Sequence, residues 1–234
     1  MPRPFAIVFD FDGVIADTEP LHMRAFQQVL AEAGLPITRQ DYYDRYLGYD
    51  DVGAFARVAE DRGVALSETD CADLVARKAA LMPALLGRPG VVFPNAGACV
   101  RRLADAAPLA IASGALRPEI ELVLEAAGLR ACFHDIVAAG DTPRSKPAPD
   151  PYARAIALLQ NRGLVPGDDE AARGSVAIED SRWGLAAARA AGLRAVAITT
   201  SYPASAFVDT ADLVVASLDE IDPVRLMAMF DGHA

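Results

Sequence analysis

The feature that most constrains the fold is a series of short apolar runs separated by segments with helical spacing. Each run is shorter than an ordinary helix and is typical of a strand buried in a parallel sheet. Strands that alternate with helices predict an α/β protein with a doubly wound, Rossmann-like parallel sheet. The runs lie at 5–10, 109–113, 135–139, 175–179, 195–199 and 213–215.

Helical segments are predicted between the later runs, because residues that favour helix starts and helix stops bracket them. Pro or Ser stands near the start of each segment and Gly at its end, at 118–128, 150–163 and 181–192. The polar stretch 161–174 is expected to be a solvated loop.

A different pattern occupies residues 17–86, where amphipathic helices replace the strands. One crossover needs only one helix, so this segment predicts a helical domain. It would be inserted into a core domain formed by 1–16 and 87–234. Two helix starts with capping-box spacing are Thr38 with Asp41 and Ser67 with Asp70.

Composition places the chain among globular proteins with a large core, since 53% of the 234 residues are hydrophobic and 23% are charged. The formal net charge of −10 argues against nucleic acid and anionic membranes as partners. Neither a signal peptide nor a membrane-spanning run is recognisable. The odd number of cysteines suits a reducing compartment, so a cytoplasmic location is expected. The sequence does not identify the oligomeric state, and a monomer is the expectation.

Two carboxylates follow the first strand in the turn Asp10-Phe11-Asp12-Gly13. Two adjacent anions repel each other, and a bound cation or a shared proton relieves that repulsion. A magnesium site or an acid/base pair therefore explains the motif, although Asp and Gly are also common residues of structural turns.

Polar side chains also end the later strands. Ser113 follows the second strand, Lys146 the third, and Glu179 with Asp180 the fourth. Taken singly, Lys146 would be a solvated lysine and Ser113 a turn former. Because the carboxyl ends of parallel strands share one edge, their joint placement predicts a phosphoryl-transfer site.

Four segments carry a resemblance to the haloacid-dehalogenase-like superfamily: DFDGV, ASG, SKPAPDPY and IEDSRWGL, in this order. The resemblance spans nearly the whole chain. The helical insertion after the first segment resembles the α-helical cap of the subgroup that contains phosphoglycolate phosphatase and beta-phosphoglucomutase. The Rossmann-like core with an inserted helical cap domain agrees with this resemblance.

The resemblance implies a role for each matching residue. Asp10 would attack phosphorus and form an aspartyl phosphate, while Asp12 would act as general acid and then general base. Mg²⁺ would be held by Asp10, the Asp12 main-chain carbonyl and Asp180, with Glu179 joining directly or through water. Ser113 and Lys146 would bind the transferring phosphoryl group. Candidate substrate contacts are Gly13, Gly114, His22, Arg117 and Lys78.

Phosphatase and mutase activities are both compatible with these motifs. The segment that contains His22 resembles the corresponding segment of the mutase, and Lys78 resembles a residue of the mutase cap. However, Asp51 stands where the mutase has an arginine for a second phosphate, and an acid there would repel it. The mutase also has a serine and a lysine on the loop after Ser113 that are missing here, and Arg117 would compensate for them in part. We therefore expect a phosphatase that acts on a small phosphorylated metabolite, with a phosphosugar mutase as the alternative.

Three further alternatives are disfavoured. Haloacid dehalogenation has no leaving oxygen that needs the proton of Asp12. Phosphonate cleavage would need a Schiff-base lysine, for which Lys78 is a weak candidate. A noncatalytic phospho-aspartate switch domain would have no need for a helical cap. Trp183, beside the acidic pair, is expected to pack near the site.

Overall fold

The chain folds into two compact units in a computed structural model that describes residues 5–46, 49, 51–88 and 90–230. One unit comprises Met1–Asp17 and Pro89–Ala234, and the other comprises Thr18–Arg88. The predicted domain boundaries at 16/17 and 86/87 lie within two residues of these junctions. No helix among the described residues combines the length and the apolar character needed to span a bilayer.

A six-stranded parallel sheet forms the centre of the larger unit, in the order β3-β2-β1-β4-β5-β6. The chain builds outward from β1 to one edge, returns to the other side of β1, and builds outward again. The fold is therefore the predicted doubly wound α/β fold, with its switch point beside β1. The strands are β1 Ile7–Phe9, β2 Leu109–Ala112, β3 Phe133–Val137, β4 Val176–Glu179, β5 Arg194–Ile198 and β6 Leu213–Val215.

Strand β3 begins two residues before the predicted run, because an edge strand tolerates polar residues that a search for apolar runs passes over. Phe133 is buried and packs edge-on against Phe9, with ring centroids 5.8 Å apart. His134 and Asp135 follow it with more exposed side chains. The strand therefore begins at the buried Phe133, before the polar residues His134 and Asp135.

The smaller unit consists of helices that bury one common apolar cluster. Both predicted capping boxes are present, and the side chains of Thr38 and Ser67 accept hydrogen bonds from the amides three residues later. Phe26 and Phe55 lie at the centre of the cluster, with ring centroids 4.9 Å apart. The helices are α1 Glu19–Glu32, α2 Arg39–Asp41 followed by a π-helix Tyr42–Tyr46, α3 Asp51–Asp61 and α4 Glu68–Leu86.

Helices of the larger unit pack on the sheet through apolar stripes. On α7 a stripe of Tyr152, Ala155, Ile156 and Leu159 at helical spacing is buried against the sheet. Burial of each large apolar side chain contributes about 1.5–3 kcal/mol. The helices are α5 Ala96–Ala104, α6 Arg117–Ala126, α7 Asp150–Asn161, α8 Glu170–Arg173, α9 Arg182–Ala190 and α10 Pro223–Ala228.

The expectation that 161–174 is a loop throughout is wrong at its end, where α8 forms. Ala171 is fully buried and anchors this short helix to the core. The side chain of Asp168 accepts a hydrogen bond from the Glu170 amide at the helix start. Gln160 donates to two main-chain carbonyls of the preceding segment. The spacing of these residues along the sequence does not reveal that they make contact. The cysteines Cys71, Cys99 and Cys132 are free, as expected.

Candidate active site

Asp10 lies directly after β1, the strand at the switch point of the sheet. Its amide donates to the carbonyl of Ile178 at 2.9 Å, which continues the ladder between β1 and β4. Its Oδ1 atom accepts a hydrogen bond from the Phe11 amide at 2.7 Å. The side chain is therefore fixed at the carboxyl end of the sheet and is 8% exposed.

Three buried carboxylates meet at this edge. Asp10, Glu179 and Asp180 each offer an oxygen atom, and these atoms all lie within 4.8 Å of one another. Glu179 ends β4, the neighbour of β1, so the parallel pairing of the two strands brings the acids together. Residues that are more than 160 positions apart in the sequence thus form one acidic cluster.

Lys146 is the cation that faces this cluster. Its Nζ atom lies 3.0 Å from Asp10 Oδ1 and 2.6 Å from Glu179 Oε1. It also lies 5.0 Å from the ring centroid of Tyr152. Burial alone would lower the pKa of Lys146, but the charges of Asp10 and Glu179 outweigh it and hold that pKa above its usual value. The lysine is therefore charged at neutral pH.

Glu179 holds Lys146 and leaves little capacity for other ligands. Its Oε1 atom accepts hydrogen bonds from Lys146 and from the Tyr152 hydroxyl, at 2.6 Å and 2.9 Å. Its Oε2 atom accepts three more, from the Asp180 amide and from the amide and hydroxyl of Ser181. A side chain at Gly184 would place its Cβ 1.6 Å from Glu179 Oε1, so α9 can pass this carboxylate only with glycine there.

The carboxylates are short of positive charge. Burial raises the pKa of Asp10 well above its usual value, and the negative charge of Glu179 raises it further against the opposing effect of Lys146. Burial and Glu179 likewise raise the pKa of Asp180 to about 7. Three acids face one lysine, so a divalent cation among their oxygens would relieve this repulsion. Oxygen donors of this kind are those that Mg²⁺ prefers.

The turn after Asp10 brings the backbone of Gly13 close to Asp180. Gly13 has a φ of +74°, and a Cβ atom there would lie 1.9 Å from Asp180 Oδ2. Only glycine allows this approach without a clash. Asp12, in the same turn, contributes negative charge that raises the pKa of both Asp10 and Asp180 behind the larger effects of burial and Glu179.

Ser113 and Gly114 follow β2, on the other side of β1. Ser113 is 4% exposed, and its Oγ atom accepts a hydrogen bond from the Ala115 amide at 3.1 Å. The hydroxyl keeps its own proton for donation to a ligand. A side chain built at Gly114 would meet no atom within 4 Å, so open space adjoins the end of this strand.

Two hydroxyl residues that were not predicted support the site from the loop after β5. Ser201 Oγ donates a hydrogen bond to Asp180 Oδ2, and Thr200 Oγ1 donates to the Gly13 carbonyl at 2.5 Å. Both therefore hold groups of the acidic cluster or of its turn. They follow a strand at the same edge of the sheet, so the rule that found Ser113 could have found them.

Two further residues named from the sequence are Arg117 and Trp183. The Arg117 guanidinium donates to the Ile136 carbonyl at 2.7 Å and to Asp141 at 2.6 Å, which places it beside the edge strand β3. Trp183, which was expected to pack near the site, is instead 62% exposed. It stands in the first turn of α9, where its neighbour Gly184 lies against Glu179.

The helical unit has a charged cluster of its own around Lys78. Lys78 Nζ lies 2.5 Å from Asp51 Oδ1, 3.1 Å from His22 Nδ1 and 4.4 Å from the ring centroid of Phe26. Burial and the charge of Lys78 lower the pKa of His22 to about 3, so the ring is neutral. Asp50, the acidic residue that precedes Asp51 in the sequence, lies outside the described residues.

Comparison with known proteins identifies the family to which this site belongs. The model of the haloacid dehalogenase-like hydrolases matches residues 6–192. The chain belongs to this family. Protein CbbY of Rhodobacter capsulatus is 34% identical over 204 residues, which cover 84% of this chain and 86% of that protein. Fructose-1-phosphate phosphatase YqaB of Escherichia coli is 31% identical over 206 residues, or 83% of this chain and 96% of its own.

A solved structure of a haloacid dehalogenase-like relative agrees with this assignment. CbbY from Rhodobacter sphaeroides, crystallised with phosphate, has a TM-score of 0.79 and 28% sequence identity. The match covers 94% of this chain and 96% of that one. The named relatives support phosphohydrolase activity for this hydrolase.

Proposed function

We propose that this haloacid dehalogenase-like hydrolase is a Mg²⁺-dependent phosphatase that cleaves a small phosphate monoester through an aspartyl phosphate on Asp10. The observation that carries the proposal is the buried cluster of Asp10, Glu179 and Asp180 with Lys146 as its cation. Such a cluster can hold a divalent ion and a phosphoryl group at the same edge of the sheet.

Each half of the reaction uses the two acids of the first turn. An Asp10 oxygen attacks phosphorus and the bond to the leaving oxygen breaks, while Asp12 gives that oxygen a proton. In the second half a water molecule attacks the phosphorus of the aspartyl phosphate. Asp12 takes a proton from this water, the bond to Asp10 breaks, and inorganic phosphate is released.

The chain's own groups divide the remaining tasks. Asp10, the Asp12 main-chain carbonyl and Asp180 would hold Mg²⁺, which offsets the repulsion among carboxylates and the charge of the phosphoryl group. Glu179 would reach the ion through water, because both of its oxygens already accept hydrogen bonds. Lys146 and the hydroxyl of Ser113 would bind phosphoryl oxygens.

The main chain at Gly13 and Gly114 is also suited to contact the phosphoryl group. Gly13 keeps its backbone within van der Waals reach of Asp180, and Gly114 adjoins open space. We infer that their amides lie along the phosphoryl group, as the backbone of a phosphate site commonly does.

The substrate we propose is a sugar phosphate or a phosphoglycolate-like monoester, and the charge balance of the helical unit favours hydrolysis over mutase chemistry. A mutase needs positive charge for a second phosphate. Lys78 is already paired with Asp51, so this cluster offers no surplus positive charge. His22 and Lys78 remain candidate substrate contacts. We place this enzyme in the cytoplasm, where free cysteines are stable, and the monomeric state stays a prediction.

Turnover of a generic aryl phosphate tests the proposal. We expect phosphate release by the native protein in Mg²⁺, its loss in EDTA, and a fall of at least about 10³-fold in Asp10→Asn. Asp209→Asn, a matched change at an exposed acid, should retain activity. Equal turnover by the native protein and Asp10→Asn would exclude the aspartyl phosphate.

A panel of phosphate esters, assayed in parallel for isomerisation of sugar phosphates, separates phosphatase from mutase. Release of inorganic phosphate should exceed isomerisation for every sugar phosphate. The reverse ranking would replace the phosphatase with the mutase while leaving the role of Asp10 intact.

A further inference from the structure

A pocket of about 360 Å³ lies along β3, at the opposite side of β2 from the nucleophile strand β1. All of its lining belongs to the larger unit. A volume of this size is within the range of small-molecule sites. The lining residues come from β3, the two segments that flank it, the start of α6 and one face of α7; they are Arg117, Arg130, His134, Asp135, Ile136, Val137, Asp141, Arg154, Leu158 and Arg162.

The ionisable side chains of this pocket are mostly cationic. Four arginines line it against two acids, Asp135 and Asp141, which leaves an excess of two positive charges before His134 is counted. The whole chain has a net charge of −10, so this is a local reversal of sign. Glu121 stands beside the pocket, 3.9 Å from Arg117 and 4.0 Å from Arg130, at the outer limit of an ion pair.

Three of the arginines are held in place by the protein. Arg117 and Arg130 donate to the main-chain carbonyls of Ile136 and Phe133, at 2.7 Å and 3.0 Å. Arg162 makes a bidentate pair with Asp135, at 2.5 Å and 3.0 Å. Each guanidinium has five N–H donors, so these bonds orient the group and leave donors for a ligand.

The Arg154 side chain is different, because no hydrogen bond or ion pair joins it to any residue in the described part of the chain. It lies on α7 four residues before Leu158 and eight before Arg162, so the three side chains share the face that lines the pocket. Asp141 is near enough to feel its charge, but Asp141 is already bound to the Ala138 amide and to Arg117. The Arg154 side chain is exposed and keeps its hydrogen-bond donors for a ligand.

We propose that this arginine pocket binds a phosphate-bearing anion at a place separate from the site at Asp10. Guanidinium groups match phosphate oxygens in geometry, and a local excess of positive charge suits a phosphate anion. Arg154 supplies donors that no described protein group occupies, and Arg117 and Arg162 supply pre-oriented donors. Inorganic phosphate and a phosphate monoester share this chemistry, and either can fill the volume.

The site can be observed directly through the Nε–Hε signals of the arginine side chains in ¹H–¹⁵N spectra. The ¹⁵N-labelled protein is kept in EDTA, so that no turnover occurs, and is titrated at constant ionic strength with inorganic phosphate or with methyl phosphate. We expect saturable shifts of the Arg154 and Arg117 signals. Arg154→Gln should weaken the affinity measured at Arg117 by about tenfold or more, as loss of one charged partner does.

Arg24→Gln is the matched control, since Arg24 is an exposed arginine of the helical unit, and it should leave the titration unchanged. Tighter binding of inorganic phosphate would identify a site for the free ion, and tighter binding of methyl phosphate a site for a monoester. Shifts that never saturate, or that chloride reproduces, would overturn the proposal and leave the arginines as charges that protect an edge strand from pairing. The same result is expected in Asp10→Asn, so this test stands apart from that of the catalytic proposal.

Discussion

Each unit of the protein buries one lysine beside an aromatic ring, and the two surroundings differ in charge. Lys146 contacts Asp10 and Glu179, with Asp180 in the same cluster, and lies over Tyr152. Lys78, in the helical unit, contacts Asp51 and a neutral histidine, and lies over Phe26.

The comparison shows that a buried lysine by itself does not mark a catalytic site. Among the described residues of the helical unit, the charge of Lys78 is matched by that of Asp51, so this cluster has no excess of acid. In the core three acids face one lysine, and the raised pKa values of Asp10 and Asp180, caused first by burial and then by Glu179, record the mismatch. The excess of acid is what indicates a cation and an anionic substrate.

The largest expected difference comes from removing each lysine in turn. Lys146→Met should lower turnover of an aryl phosphate by about 10³-fold, because a charged donor to the phosphoryl group is lost. Lys78→Met should lower it by less than about tenfold, while the free energy of unfolding falls by about 1–2 kcal/mol since Asp51 loses its partner but is partly hydrated. Steady-state kinetics and urea unfolding measure both. Similar kinetic losses in the two variants would remove the distinction.

Magnesium should stabilise only the centre with excess acid. At a concentration about 100 times its dissociation constant, Mg²⁺ should add about 2.7 kcal/mol to the free energy of unfolding of the native protein. Asp180→Asn should lose most of this effect, and the matched variant Asp51→Asn should keep it. Thermal or urea unfolding in EDTA and in Mg²⁺ provides the measurement. A response that survives Asp180→Asn would place the ion elsewhere.

The neutral histidine beside Lys78 predicts a pH dependence of stability. The pKa of His22 is lowered to about 3 by burial and by Lys78, whereas an unfolded histidine titrates near 6.5. Between these values the unfolded chain binds the extra proton, so stability contributed by the neutral ring is present above about pH 6.5 and is lost as pH falls towards 3. From near pH 7 to near pH 5 this loss is about 2 kcal/mol.

His22→Asn tests that dependence, because the amide can still accept a hydrogen bond from Lys78 but does not titrate. Urea unfolding at the two pH values should show a smaller loss for the variant, by about 2 kcal/mol. The carboxylates, Asp51 included, are common to both proteins and cancel in the difference. Parallel pH profiles would show that His22 is not held neutral by the fold.

The smallest expected effect concerns the two rings. Tyr152→Phe gives the core lysine the type of ring that Lys78 already has, and removes one of the hydrogen bonds to Glu179. We expect a loss of about 1–2 kcal/mol in the free energy of unfolding and a several-fold fall in kcat at nearly constant KM, since Lys146 is less firmly held. Tyr202→Phe, at a partly exposed ring, is the control and should change neither. A kcat equal to that of the native protein would show that Lys146 keeps its position without this hydroxyl.

Much of the fold could be predicted because its signals are local. The capping boxes at Thr38 and Ser67, the buried stripe of α7 and the strand-like runs each depend on residues within a few positions. Strand β3 and helix α8 were less well predicted, because each depends on an apolar contact with residues far away in the sequence. Phe133 of β3 packs against Phe9, and Ala171 of α8 packs in the core of the larger unit.

By itself the sequence determined which chemical groups end the strands, and parallel pairing made their meeting predictable. It could not determine how the groups divide their tasks. Only the tertiary structure shows that Glu179 is occupied by Lys146 and Tyr152, and that Ser201 holds Asp180. It also directs Arg117 to the edge strand. A hydrogen bond forms or fails on differences of a few tenths of an ångström in position. Between residues far apart in the chain, spacing along the sequence carries no information on such differences.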